Sequence, residues 1–140
     1  MKIELIKIVN VYNVFVSLTK KRYSNWNVAL KLAKATKELE SNRDFYLEKE
    51  RDLLKSYVLK DKEGKLQFTE QGQPKFESVE KAQEFNEELI SLQKTQVDIF
   101  DPIIISVNDF KSGEELLTPE EIMLLSDFIT FTCEENGGKA

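Results

Sequence analysis

The chain of 140 residues contains no histidine and only one cysteine, Cys133. Without histidine there can be no Ser-His-Asp triad, no Cys-His nucleophile pair and no imidazole ligand for a transition metal. A single cysteine excludes a disulfide within the chain and a Cys/His zinc site. With no histidine or basic group beside it, Cys133 is read as a passive apolar side chain.

Glycine, proline and long apolar runs are also scarce. The five glycines form no phosphate-binding pattern of the G-x-G-x-x-G or G-x-x-x-x-G-K-[ST] type. The longest apolar stretches, around Ile8–Leu18 and Ile99–Val107, are too short and too interrupted to cross a bilayer. No cationic segment followed by a long apolar run is present, so we expect no signal peptide, no membrane association and a cytoplasmic protein.

What the chain does contain is typical of a folded, helix-rich protein. Hydrophobic residues make up 41% and aromatic residues 10%, which favours a core, and charged residues make up 32%. This length most simply forms one domain. We therefore predict a single domain over residues 1–133 and a flexible C-terminal tail over residues 134–140.

Charge is divided between the two parts of the chain. Residues 1–65 hold fifteen Lys/Arg and nine Asp/Glu, a net +6, whereas residues 66–140 hold five and sixteen, a net −11. This division indicates either an internally complementary fold or a partner that is met electrostatically. The overall net charge of −5 makes nucleic-acid binding an unlikely role, because phosphates would be repelled except at a local basic patch.

Periodicity predicts the elements. Alternation over Lys2–Ile8 indicates a strand, and helical spacing follows from Ile8 to Thr19. The clearest helix runs from about Trp26 to Leu59, where Gly and Pro are absent, with any break expected at Glu40–Arg43. Apolar residues at a seven-residue step give this helix a seam that we treat as a candidate partner-binding surface: Leu32, Leu39, Tyr46 and Leu53.

A second helix is predicted from Val79 to about Lys94, capped by Ser78. Its expected buried face comprises Val79, Ala82, Phe85, Leu89 and Leu92. Its outer face is acidic and is the second candidate partner-binding surface: Glu80, Glu84, Glu87 and Glu88. A last helix starts at Thr118-Pro119 with a capping box, and its apolar face extends through Ile129.

These elements predict an α+β fold that is mostly helical. It has one long amphipathic helix, two or three shorter helices and a small antiparallel sheet. We expect the sheet to combine the N-terminal strand with the Ile99–Val107 region, and with a hairpin over Leu66–Phe76 as a further candidate.

Acidic residues give little support for catalysis. Asp98 and Asp101 could act as an acid–base pair or bind a metal together with Asp109, but carboxylates at a strand edge are more often solvated. The pairs Glu114-Glu115 and Glu120-Glu121 are explained by the dipole of the following helix. We therefore expect no enzyme, no cofactor and no metal.

Cations and aromatic rings interleave only at Lys20-Lys21-Arg22, beside Tyr23 and Trp26. Such a cluster can contact phosphates and stack on bases. Because no second basic cluster accompanies it, we favour a solvated loop with Trp26 packed in the core.

Several segments resemble a family of short, uncharacterised proteins that phages and prophages of Gram-positive bacteria encode. The resemblance spans nearly the whole chain, and its pieces carry no chemistry: Ile8–Tyr12, Ala29–Lys34, Tyr46–Arg51, Lys60–Lys65, Phe85–Leu89 and Leu117–Glu120. It implies a phage-encoded protein that works in the bacterial host cytoplasm, and it carries no functional residues over.

Two functions remain open. The first is a non-enzymatic phage accessory protein that binds other proteins, for example in virion assembly, with a phage structural protein, a host protein or a second copy as partner. In this first function, the seam of the long helix either packs against the rest of the chain or binds the partner. The alternative is an acidic inhibitor of a host nucleic-acid-binding defence protein, in which the acidic helix face imitates a phosphate backbone.

Overall fold

A helix of 32 residues, α2 (Trp26–Tyr57), is the longest element of the structure. It confirms the predicted long helix, and it continues without interruption through Glu40–Arg43, the place predicted for any break. The computed structural model describes residues 1–111 and 117–132. The fold class is as predicted, α+β and mostly helical.

The chain divides into two compact units, and α2 contributes to both of them. The first unit holds Met1–Arg43 and the chain from Gln96 onward, and the second holds Asp44–Thr95. The sequence predicts one domain over residues 1–133, whereas the contacts within the chain divide it into these two compact units. Cys133 and the predicted tail over residues 134–140 lie outside the described residues.

The first unit begins with a short strand, β1 (Lys2–Glu4), that leads directly into helix α1 (Leu5–Thr19). The strand is therefore shorter than predicted and the helix starts three residues earlier. One side of α1 is buried, including Leu5, Ile8 and Leu18. Phe15 packs its ring edge-on against Phe128 with the centroids 5.9 Å apart, an arrangement that favours the attraction between aromatic rings.

Two small sheets complete the first unit. The predicted antiparallel sheet is formed by β1 and β2 (Gln96–Asp98), with Ile3 opposite Val97. The region expected to extend this sheet instead provides β3 (Ile103–Ser106), which pairs in parallel with β4 (Ile129–Thr132). A parallel partner from far along the chain leaves no local sequence signal, since it needs no hairpin turn.

Two shorter helical segments lie between β3 and β4. A 3-10 helix covers Val107–Asp109, and helix α4 covers Pro119–Leu125. The predicted capping box of α4 is confirmed, because the Thr118 hydroxyl accepts a hydrogen bond from the Glu121 amide at 3.2 Å. The predicted helical position of Ile129 is wrong. The chain turns after Leu125, and Ile129 enters the sheet opposite Ile103.

The second unit combines the C-terminal part of α2 with helix α3 (Val79–Lys94). Helix α3 has the predicted bounds and the predicted Ser78 cap, whose hydroxyl accepts from the Lys81 amide at 3.2 Å. Phe85 is buried as expected and its centroid lies 5.2 Å from that of Phe76. Val79, expected on the buried face, is instead 76% exposed because it occupies the first helical position, at the margin of that face.

The chain between α2 and α3 has little regular structure. The two pieces of the predicted hairpin over Leu66–Phe76 do pair, but through an isolated antiparallel bridge and not through continuous strands. The bridge joins Phe68 to Pro74, and the Lys75 amide donates to the Gln67 carbonyl at 3.1 Å. A further antiparallel bridge joins Val58 to Phe76. Gly64 and Gly72 adopt φ values of 84° and 83°, the left-handed conformation that glycine accepts most readily in tight turns.

Helix α2 offers a matched pair of leucines that tests which side of it is core. Leu32 is completely buried, whereas Leu30 is 54% exposed. We expect Leu32→Ala to lower the free energy of unfolding by about 2–5 kcal/mol, since it leaves a cavity. Leu30→Ala should change it by about 0.5 kcal/mol or less. Urea unfolding followed by circular dichroism measures both, and equal losses would contradict this assignment.

Candidate functional site

The predicted seam of α2 is mostly part of the protein's own core. Leu32, Leu39 and Tyr46 are buried, so a partner cannot reach them in the folded chain. This corrects their assignment as partner-binding residues. The reason is the helical period, which turns the seven-residue repeat toward the same side as Val28 and Ala35, both also buried.

Leu53 is the one seam residue that is partly exposed. It lies in the second unit and lines an open groove of about 430 Å³ between α2 and α3. Phe45 and Leu92 provide the other apolar walls, and Lys49 and Glu88 stand at the rim. The groove is shallow and carries mixed charge, so nothing in its lining selects a particular ligand.

Tyr46 shows that the buried seam also contains a satisfied polar group. Its hydroxyl lies 3.2 Å from Glu50 Oε2, to which it donates a hydrogen bond, and 3.4 Å from the Gln93 amide nitrogen. Burial raises the pKa of Tyr46 above its usual value near 10, and the Glu50 carboxylate raises it as well. The residue therefore joins α2 to α3 within the second unit.

The four predicted glutamates of α3 form a continuous surface, which we call the acidic stripe: Glu80, Glu84, Glu87 and Glu88. All four are exposed. At 3.6 residues per turn their side chains fall within an arc of about 100° on the helix. The structure thus brings together the residues that the sequence singles out here.

Only half of the acidic stripe has partners among the described residues. Lys81 Nζ lies 3.5 Å from Glu84 Oε2, an ion pair one helical turn apart. A hydrogen bond to Glu88 is the main cause that raises the pKa of the Tyr57 hydroxyl. Within residues 1–111 and 117–132, Glu80 and Glu87 make no ion pair, so their charges face solvent.

The first unit carries a surface of opposite charge, which we call the cationic face: Trp26, Leu30, Lys31, Lys34 and Lys37. All five side chains are exposed. Trp26 is 84% exposed, so the expectation that it packs in the core is wrong. The physical reason is again the period of α2, because Trp26 lies on the side opposite the buried Val28 and Leu32.

The lysines of the cationic face have no acidic neighbours before them in the sequence. The chain from Leu5 to Lys37 contains seven Lys/Arg and no Asp/Glu. No ion pair in the described part of the chain involves Lys31, Lys34 or Lys37. Three like charges spaced three residues apart on a helix repel each other by roughly 0.2–0.5 kcal/mol per pair.

The two nearest acids on α2 are held by other groups. Glu38 lies four residues after Lys34, and its Oε2 accepts a hydrogen bond from the Phe100 amide at 3.2 Å. Glu40 lies three residues after Lys37, and its Oε2 accepts from the Tyr12 hydroxyl at 3.3 Å. Each acid therefore has a hydrogen bond within the first unit, and no ion pair in the described residues joins either of them to Lys34 or Lys37.

A groove of about 450 Å³ runs beside the cationic face. Lys31 and Lys34 line one side, and the segment Phe100–Ile104 lines the other. Ile104 is 67% exposed on the outer side of β3. The groove therefore adds apolar surface beside the cationic face in the same unit, and the carboxylates of Glu38 and Asp101 also line it.

The acids considered for catalysis have structural partners. Asp101 lies 3.4 Å from the Met1 ammonium, and Asp98 lies 3.4 Å from Lys2 Nζ. Asp109 caps the 3-10 helix by accepting from the Ser106 amide at 2.8 Å. Among the residues that the structure describes, no three acids or sulfur ligands are close enough to hold a metal ion.

The cationic face is the surface that sequence reasoning missed. Its signal was present, because Trp26 and Leu30 are one turn apart and Lys37 continues the same line along the helix. The seven-residue seam describes only the buried side of α2, and Trp26 was expected in the core with it. A helical projection of both sides would have shown Trp26 outside the buried stripe.

No family model, curated protein or solved structure matches the chain. In the portion that the structure covers, none of the helices has both the length and the apolar character needed to cross a membrane.

The raised pKa of Tyr46 predicts how stability depends on alkaline pH. The folded state holds the phenolic proton more tightly than the unfolded state, so raising the pH above about 10 favours unfolding. We expect the free energy of unfolding to fall as the pH rises from about 10 through the higher pKa of the folded state, and to fall less steeply in Tyr46→Phe. Urea titrations across this range measure the slopes, and identical slopes would contradict the assignment.

Proposed function

We propose that this protein acts by binding another protein, without catalysing a reaction, and that the cationic face of α2 is its docking surface. The observation that carries the proposal is the exposure of Trp26. A tryptophan side chain buries about 150–250 Å² when covered, and tryptophan is enriched among the residues that dominate binding energy at interfaces. Here it is solvated, while the core side of α2 is occupied by other residues.

The chemistry of the cationic face defines the partner. Trp26 and Leu30 form its apolar part at the start of α2, and Lys31, Lys34 and Lys37 add positive charge along the next two turns. Apolar anchors within a charged rim are typical of surfaces that recognise proteins. The complementary partner is a helix or surface that presents aliphatic side chains between carboxylates.

The biological setting of the proposal comes from the family resemblance. It supports a phage-encoded accessory protein that works in the host cytoplasm, with virion assembly as the process in which such a docking surface would be used. A non-enzymatic role is supported by the structural partners of Asp98, Asp101 and Asp109, which hold these acids in ion pairs and a helix cap.

A second candidate function is inhibition of a host nucleic-acid-binding defence protein by the acidic stripe. The continuity of Glu80, Glu84, Glu87 and Glu88 along α3 favours it, because regularly spaced carboxylates can imitate phosphates. In that case Glu80→Gln/Glu87→Gln would abolish binding to the host protein, and variants of the cationic face would bind it as wild type does.

Site-specific photo-cross-linking tests the proposed docking surface. Replacing Trp26 with p-benzoylphenylalanine places a reactive group in the apolar part of the cationic face. On irradiation of bacterial cells that express this protein together with the phage structural proteins, we expect a discrete, protease-sensitive adduct. Adding Lys34→Gln/Lys37→Gln should reduce its yield by about tenfold, since two ion pairs are lost.

The matched control carries the same cross-linker at Phe68, an exposed aromatic residue of the second unit. It should give no adduct of the same mass. A nuclease-sensitive adduct at position 26 would identify a nucleic-acid surface instead. Absence of any adduct at this position, or an adduct unaffected by the lysine changes, would overturn the proposed docking role.

A further inference from the structure

We propose that the partner of the cationic face is the acidic stripe of a second copy of this chain. The inference rests on the proposed function, since it assumes that the cationic face binds protein, and it goes further by naming the occupant. The chain itself carries both halves of a complementary contact, one in each compact unit.

The acidic stripe has the features that the cationic face requires of a partner. Glu80 and Glu87 have no ion pair among the described residues, so their charges are available. Val79 and Ile90 flank the stripe and are 76% and 48% exposed. Helix α3 therefore presents carboxylates between aliphatic side chains, on a helix whose ends are fixed by its Ser78 cap and the turn at Thr95.

The two surfaces also match in length. The cationic face extends over eleven residue steps from Trp26 to Lys37, and the stripe with its flanking apolar residues extends over eleven from Val79 to Ile90. At 1.5 Å per residue each covers about 16 Å of helix axis. The residues that form the two surfaces therefore span equal lengths of helix.

The spacing of the charges brings lysines and glutamates together in either direction. With Trp26 level with Val79 in the parallel direction, Lys31 and Lys34 come level with Glu84 and Glu87. With Trp26 level with Ile90 in the antiparallel direction, Lys34 and Lys37 come within two residues of Glu84 and Glu80. Either direction therefore supplies counter-charges to at least two of the lysines.

A second copy fits this chemistry better than a long polyanion does. A polyanion carries negative charge along its whole length and is repelled by the net charge of −5. A second copy carries only that same −5, and it presents the glutamates of its acidic stripe on one side of one helix. Docking also relieves repulsion within each surface, because both the lysines of α2 and the glutamates of α3 gain counter-charges. The contact joins unlike surfaces, so one interface leaves each copy with a surface still open for a further contact.

Sedimentation equilibrium of the purified protein tests this pairing. At low salt we expect a mass above that of the monomer which rises with concentration, and which falls toward the monomer as salt is raised. Lys34→Gln/Lys37→Gln and Glu80→Gln/Glu87→Gln should each weaken association by about tenfold. Trp26→Ala should weaken association by about thirtyfold, since the largest apolar side chain of the cationic face is lost.

Matched controls separate this pairing from a general effect of charge. Lys60→Gln/Lys62→Gln and Glu63→Gln/Glu70→Gln change the same charges at exposed positions away from both surfaces, and they should associate as wild type does. The decisive sample is a mixture of the two interface variants. One of them keeps an intact cationic face and the other an intact acidic stripe, so the mixture should form a 1:1 complex and nothing larger.

The outcomes distinguish this inference from the proposed function. A wild-type protein that stays monomeric at low salt, or a mixture that fails to form the 1:1 complex, overturns the second-copy pairing. If the cross-linker at position 26 still captures a different protein, the docking role stands with another partner. Unchanged association in all interface variants would place the contact elsewhere on the chain and would also overturn the pairing.

Discussion

The helical period of α2 constrains both the core and the surface of this protein. Because the helix turns 100° per residue, burying Leu32 and Leu39 fixes the orientation of every other side chain on it. Trp26, Leu30 and Lys37 then have no route to the core without breaking the helix. The exposure of these apolar residues is therefore not a packing defect that a rotamer change could correct.

The distribution of charge follows the same separation between the buried and the exposed side of α2. The segment before Glu38 supplies lysines without acids, and the two acids that follow are engaged by the Phe100 amide and the Tyr12 hydroxyl. Individual surface ion pairs contribute about 0–1 kcal/mol, so α2 could have neutralised its lysines cheaply with local glutamates. The sequence of α2 places no such glutamates before Glu38. On α3, Glu80 and Glu87 likewise have no ion pair among the described residues.

Local signals in the sequence predicted the structure well, and long-range ones did not. The bounds of α3, its Ser78 cap and the Thr118 capping box depend on residues within one turn of each other, so they could be read directly. The pairing of β3 with β4 could not, since a parallel partner leaves no hairpin signature and Ile129 continues the apolar spacing of α4. The acidic stripe was predicted because its members lie on one helix, whereas the cationic face was missed because tryptophan was assumed to be core.

In the proposed pairing, charged and apolar side chains would contribute differently to the contact. Exposed ion pairs add little free energy, but like charges placed opposite each other are unfavourable, so the lysines and glutamates would determine the register of the docked helices. The apolar side chains are insensitive to charge register, and Trp26 with the exposed aliphatic residues of α3 would provide most of the area that leaves water. Such a contact would be specific and also reversible, because salt screens its ion pairs and its apolar area is small. Its chemistry would come from helix sides that the core of the chain does not cover.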